Sequence, residues 1–464
     1  MGRTVRHAIF AAGATLALTA CGNVSDPQSA DDGTAAPTGL DVTVHDGEFA
    51  TIQQFTTPGG VSVWLVEEPS IPILSLRRAW EQGTSSDPEG LEGLTNSVTY
   101  MMNEGAGELD SQGFFQRMEE LNMSFGCSAA RATTFCNASM LTDNAANSFE
   151  LIGMAYSAAR FDEGPYERFR RENEVSLSTR ETSQNYLASR AQIEALYPDH
   201  EFARELTAES LAALSAEAAK AHKDELMTQS GMVVTAVGAI SPDELAPLID
   251  AAVAGLPESS DIVEIEPLAL GDEGVEPITV SLPQPQSLVR FVGQGVARDH
   301  PDYYPLIVTN HIFGGGGDFS ARLMSSLRVE KGLTYGIRSS LNPGEYLQTI
   351  SGGGQTQNAT AGEFVDGIKA EMQLMAEEGA TQAEVDKAIA YLTGSYPLSF
   401  DSNAKIAANM MSVRVQDLPV EYFDTRNASI SAVTLEDVNR VAATYFQPER
   451  FTFILVGEPE GLEG

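Results

Sequence analysis

Ile312-Phe313-Gly314-Gly315-Gly316-Gly317-Asp318-Phe319-Ser320-Ala321-Arg322-Leu323-Met324-Ser325-Ser326-Leu327-Arg328-Val329-Glu330-Lys331-Gly332-Leu333-Thr334-Tyr335-Gly336 sets a glycine run against a helical pattern and then a strand. Consecutive glycines let a backbone approach another chain closely. Asp318 suits the N-cap of a helix carrying Phe319, Leu323 and Leu327. No Gly-Lys-Ser/Thr follows the glycines, which excludes a P-loop. Phe319 stands where a dinucleotide fingerprint needs its last glycine. The run therefore reads either as a tight turn into a helix or as a flexible lip, Phe313 to Gly317, that touches a bound substrate. Arg328 falls near the helix end, and Tyr335 follows seven residues later.

Outward from this stretch, the chain contains one unit twice. Leu206–Leu211 reads as a capped helix, and Met232–Gly238 is a strand that follows it. Val433–Val438 and Phe451–Gly457 repeat that order. Thr434 with Asp437, Thr381 with Glu384, and Ser241 with Glu244 form capping-box patterns. Phe364, Val365, Ile368, Met372 and Met375 recur at helical spacing, and Gly379 closes that helix. A Pro-, Gly- and acid-rich segment, 256–275, reads as a linker. The expected fold class is α+β: two homologous mixed α/β domains at 45–255 and 276–464, each a sheet with helices on one face.

Near the start of the first domain lies Gly93-Leu94-Thr95-Asn96-Ser97-Val98-Thr99-Tyr100-Met101. It resembles the Gly-Leu-Ala-His-Phe-Leu-Glu-His-Met segment of the pitrilysin/insulinase family of zinc metallopeptidases. In that family two histidines hold Zn²⁺ and the Glu activates water. Asn96 and Tyr100 stand at the histidine positions here, and Thr99 at the Glu. None is a good zinc ligand at neutral pH, and Thr cannot act as the base. The family's third ligand would fall within 173–181. The 312–336 stretch resembles the family's second signature, which implies that Arg328 and Tyr335 hold the substrate backbone. His45, His200, His222, His300 and His311 form no ligand-spaced cluster, so no metal site is expected in this chain.

The chain has 65 Asp plus Glu against 28 Lys plus Arg, a formal charge of −37. Such a surface repels nucleic-acid backbones and keeps a protein soluble. At the N-terminus, Arg3, Arg6 and His7 precede an apolar run too short to span a bilayer. Leu18-Thr19-Ala20-Cys21-Gly22 resembles a bacterial lipoprotein cleavage box, which implies removal of residues 1–20 and lipidation of Cys21. Residues 21–44 read as a flexible tether. The expected location is the periplasmic face of the outer membrane, with the inner membrane as the alternative. Cys127 and Cys136 lie in two short strands. They either form a cross-hairpin disulfide or remain buried thiols.

These readings converge on a non-catalytic but activity-supporting subunit of a heterodimeric periplasmic zinc metallopeptidase that degrades peptides. A same-family partner carrying His-x-x-Glu-His would supply the zinc, and this chain would supply Arg328 and Tyr335. The mitochondrial processing peptidase pair is similar in dividing these jobs. The alternatives are a scaffold subunit and a peptide-binding lipoprotein without peptidase role.

Overall fold

The computed structural model describes residues 39–462 except 262, 264 and 316–318. The expected signal peptide, Cys21, Gly316, Gly317 and Asp318 lie outside the described residues. In the first half the elements run β1 Thr43–Asp46, β2 Thr51–Thr56, β3 Ser62–Glu67, β4 Ile73–Trp80, α1 Leu94–Met101, α2 Ser111–Glu120, β5 Ser124–Ala129 and β6 Thr134–Leu141. There follow α3 Ala145–Ala158, α4 Glu163–Arg180, α5 Gln184–Leu196, α6 Ala208–Ala213, α7 Ala216–Leu226, β7 Val233–Gly238 and α8 Pro242–Val253. The second half begins with β8 Ile278–Ser281, β9 Gln286–Gln294, α9 Tyr303–Phe313, β10 Thr334–Pro343 and β11 Gln348–Gln357. It ends with α10 Ala361–Glu378, α11 Gln382–Gly394, α12 Asn403–Arg414, α13 Tyr422–Ser431, α14 Leu435–Tyr445 and β12 Thr452–Gly457. Residues 254–277 carry no helix or strand among those described.

Two mixed sheets result, and five strands of the first repeat the topology of the second. The first has the order β1-β2-β3-β7-β4-β6-β5 and the second β10-β11-β9-β12-β8. Read from β3 and from β8, each sheet has a parallel pair followed by antiparallel neighbours. β7 and β12 both end in glycine, and Val237 pairs with Ser75 as Val456 pairs with Leu288. That register makes Arg77 equivalent to Arg290, and Ile73 to Gln286. The helix before β7 is α7, so α7 rather than α6 is the counterpart of α14. Sequence order alone missed this because α6 carries the more legible cap, a Thr207–Ser210 capping box.

The three capping boxes expected from sequence are present at α8, α11 and α14. Each satisfies amide groups that a helix start leaves free. At α11 the same Glu384 also accepts two guanidinium bonds from Arg322, at 2.8 and 2.9 Å. These bonds hold its carboxyl at about 2, against an ordinary 4.5. Because the folded pKa is depressed, the associated stability is present above about pH 4.5 and disappears as pH falls through about 2. The pair is partly exposed and therefore screened, so we expect Glu384→Gln to cost about 1 kcal/mol at pH 7. Urea unfolding should show that gap closing toward pH 2; a gap independent of pH would refute the assignment.

One face of each sheet packs on its own helices. Val63, Leu65, Leu74, Leu76 and Phe125 meet Val98, Phe149 and Ile152 in the first core. Val289, Phe291 and Ile350 meet Phe364, Ile368 and Val441 in the second. The opposite face of each sheet takes a helix from the other half. α12 lays Ala407, Met410 and Val413 on Trp64, Val66 and Val237. α5 lays Ala188 and Ala191 on Val292, Ile454 and Val456. The exchange is symmetric in detail. Asn403, the first residue of α12, donates to Ile73 O at 2.9 Å. Gln184, the first residue of α5, donates to the equivalent Gln286 O at 2.6 Å. From Leu40 onward the chain accordingly forms one compact unit.

Candidate functional site

α1 carries the positions of the degenerate zinc motif. Gly93 begins the helix at φ +98, a conformation that favours glycine, and a Cβ there would lie 2.6 Å from Leu206 Cδ1. The buried Asp87 carboxylate accepts from the amides of Gly93 and Thr95, at 2.8 and 2.9 Å. Asn96 is exposed, Thr99 is buried and spends its hydroxyl on Asn96 O at 3.0 Å, and Tyr100 is half-buried. The Tyr100 ring meets Phe169 of α4 at 5.4 Å, and its hydroxyl reaches Glu172 at 3.4 Å. Burial pushes the Tyr100 phenol up, and Glu172 and Glu104 push it further. The Tyr100 hydroxyl thus meets a carboxylate of α4, Glu172. Glu104 is buried and pairs with Arg168, with Ser111 donating to it at 2.6 Å. These carboxylates serve a phenol, a guanidinium and a hydroxyl. Among the described residues no three His, Cys, Asp or Glu side chains gather where they could hold a metal.

Of the expected peptide-touching lip, residues 313–315 are described. Phe313 is fully buried, with its ring 4.9 Å from that of Phe446 and 6.3 Å from that of Phe291. Its side chain is core and cannot meet a substrate; an apolar residue at a helix end fits either role, and the sheet below decides. Gly314 and Gly315 are buried as well, and Gly314 O accepts from Ser339 N at 2.8 Å on the outer edge of β10. A Cβ on Gly315 would lie 2.6 Å from His311 Cα, which explains the glycine by packing. Phe319 is not in a helix. It lies in a turn, 59 % exposed, with the Arg328 guanidinium 4.4 Å above its ring. That contact is a cation–π pair.

Arg328 belongs to a π-helical segment, Met324–Glu330, in which Leu327 is buried. Lys331 N reaches back five residues to Ser326 O at 3.0 Å. Such wide turns are frequent at functional sites. Tyr335 sits where the β10–β11 register shifts between Thr334 and Ile337. A bulge re-aims its side chain, and Tyr335 stands 87 % exposed. Arg328 lines a groove of about 730 Å³ on the face of the second sheet beside α5. The floor of the groove is polar. Arg338, Ser340 and Asn342 of β10 pair across with Gly353, Ser351 and Thr349 of β11, and Gly353 pairs with Arg290 of β9. Sequence reading missed this floor, although three successive glycines, Gly352 to Gly354, inside a strand mark a close approach. A smaller groove of about 480 Å³ occupies the equivalent face of the first sheet, lined by Arg77, Ser124, Cys127, Asn137 and Ser139 among others. Cys127 and Cys136 pair directly across β5 and β6 and are joined in a disulfide.

Residues 213–392 match the family described as Peptidase M16 inactive domain. The chain is 23% identical over 399 residues to the non-peptidase homolog YmxG of Helicobacter pylori, covering 85% of this chain and 91% of that protein. It is 20% identical over 452 residues to the mitochondrial-processing peptidase subunit beta of Lentinula edodes, covering 91% and 92% respectively. Among solved structures it is similar to the peptidase M16 inactive domain from Pseudomonas fluorescens, with TM-score 0.81, 24% identity and coverage of 89% and 99%. A protease from Helicobacter pylori has the same fold at TM-score 0.77, with 16% identity and coverage of 88% and 99%. The two mixed sheets with their helices are thus the fold of M16 inactive domains.

Proposed function

We propose that this chain is a non-catalytic M16-family subunit of a periplasmic two-chain zinc peptidase, and that it lends Arg328 and Tyr335 to peptide hydrolysis in its partner. The observation that carries this reading is the contrast between the two halves. The motif positions on α1 hold an amide, a hydroxyl and a phenol, whereas Tyr335 is held out of a bulge, 87 % exposed. Hydrolysis builds negative charge on the scissile carbonyl oxygen, and a guanidinium and a phenol O–H can donate to it. Zinc and the general base would come from a same-family chain carrying His-x-x-Glu-His.

Co-expression with such a chain is the test. The complex should contain zinc in the partner and cleave peptides, and this chain alone should do neither. Peptidase activity of this chain purified alone would overturn the reading. We place the complex on the periplasmic side of the outer membrane through lipid on Cys21; Cys21→Ser should move it to the soluble fraction, and unchanged membrane association would count against the anchor. No described helix is long and apolar enough to cross a membrane. The polar groove beside Arg328 also suits a chain that binds peptides without cleaving them, the outcome if no partner restores activity.

A further inference from the structure

The groove beside α5 has a charge unlike the rest of the molecule. The chain holds 65 Asp plus Glu against 28 Lys plus Arg. Yet among the described residues the groove is lined by Arg290, Arg328 and Arg338 and by no Asp or Glu. Several arginines elsewhere find acids: Arg168 pairs with Glu104, Arg322 with Glu384 and Arg440 with Asp302. Among the described residues, those in the groove do not pair this way. Arg290 donates to Ser189 Oγ of α5 at 2.8 Å, a neutral partner. Burial pushes its pKa down, and the neighbouring Tyr197 offsets this in part. Arg338 is exposed and makes no ion pair among the described residues.

Register places these groups around a common space. Arg338, Gly353 and Arg290 form one row across β10, β11 and β9. With strands about 4.8 Å apart, the two arginine Cα atoms stand about 10 Å apart on the same face. Gly353 between them has φ +149, and a Cβ there would lie 2.1 Å from Val289 O. Only glycine fits, so no side chain fills the space between the guanidinium stems. Ser340 and Ser351 form the adjacent row. A half-buried cation without an acid loses hydration that an anion would replace. Arginine forks match carboxylates in a bidentate manner. The distant acids of the surface are screened beyond about 8 Å at physiological salt. The internal repeat adds a second instance: Arg77, at the position equivalent to Arg290, lines the equivalent groove, and burial alone lowers its pKa.

We infer that this groove is a binding site for a carboxylate of a bound peptide, held between Arg290 and Arg338 over Gly353 and within reach of Arg328. The inference rests on the peptidase reading for the peptide, and it names the substrate class as peptides bearing negative charge. It departs from what the overall charge would select, since a chain at −37 attracts basic peptides at long range.

Calorimetry on the mature full-length chain tests it with three octapeptides of the same frame. One is N-acetylated and C-amidated with three Glu. The second has Gln in their place. The third is the Gln peptide with a free C-terminal carboxylate. We expect at least one carboxylate-bearing peptide to bind ten-fold or more tightly than the capped Gln peptide, and the one that does identifies the source of the carboxylate. Arg338→Gln, a change at an exposed residue, should remove most of that preference with unaltered thermal unfolding, and Arg290→Gln should do the same. Equal binding of all three peptides, or a preference that survives both substitutions, overturns the inference. The outcome is separable from that of the peptidase reading. A complex that cleaves all three peptides equally well defeats the charge preference alone. A charge preference in a chain that no partner activates defeats the peptidase reading alone.

Discussion

Replacing Arg328 by Ala in the active complex should lower kcat/KM by about 10²–10³, or ~3–4 kcal/mol of transition-state stabilisation. The expectation follows from where the guanidinium sits. It lines the groove, and a neighbouring ring, Phe319, lies 4.4 Å below it. A preorganised donor of this kind costs no reorganisation when charge develops on the carbonyl oxygen. The loss should fall mainly on kcat, because the charge exists only in the transition state. Arg328→Lys should recover part of the rate but not all, since an ammonium lacks the planar fork. Tyr335→Phe should cost less, as a neutral donor is the weaker of the two. Thermal unfolding should be unmoved in all three variants, because Tyr335 is 87 % exposed and Arg328 lies at the groove surface. A complex with Arg328→Ala that cleaves at the wild-type rate would remove this chain from the chemistry.

What was legible in the sequence was local. The capping boxes at Ser241, Thr381 and Thr434 are each decided within four residues, and all three are present. The stripe from Phe364 to Met375 and its closing Gly379 likewise form one helix, α10, with a buried face. The repeat was legible because β7 and β12 share a pattern of apolar residues ended by glycine. What was not legible depended on contacts between distant residues. Phe313 and Phe319 have the same chemistry, yet one is core and the other a ring under Arg328. The Gly353 position is fixed by Val289 O on the neighbouring strand. A single sequence does not show which sheet α12 covers. Ala407, Met410 and Val413 would suit either sheet; the structure gives them to the first.

That crossing of α12 makes Arg414 the most consequential side chain outside the site. It is the last residue of α12, in the second half of the sequence, and it holds two strands of the first half. Its Nη1 donates to Ser62 O and Val234 O at 3.0 Å each, and Nη2 to Ser62 Oγ at 2.8 Å. Its guanidinium lies 5.3 Å from the centre of the Trp64 ring. Ser62 and Val233 are paired where β3 runs parallel to β7, so the fork spans the start of that pair. Burial lowers the Arg414 pKa to about 10, with Asp417 acting the other way, and the side chain stays charged at neutral pH. Arg414→Ala removes three donors from half-buried acceptors and the stem that covers Trp64. Hydrogen bonds to a charged group contribute about 1.5–3 kcal/mol each, and the contributions are not additive; we expect a net loss of roughly 3 kcal/mol. Arg414→Met should recover part of this through packing of its stem. Denaturant unfolding checks the magnitude, and hydrogen exchange checks the place. The amides of β3 and β7 should lose protection, whereas those of β9 and β11 in the other sheet should not. Equal loss of protection in both sheets would mean that α12 does not clamp the first sheet in particular, and that the exchanged helices act only as part of a single undivided core.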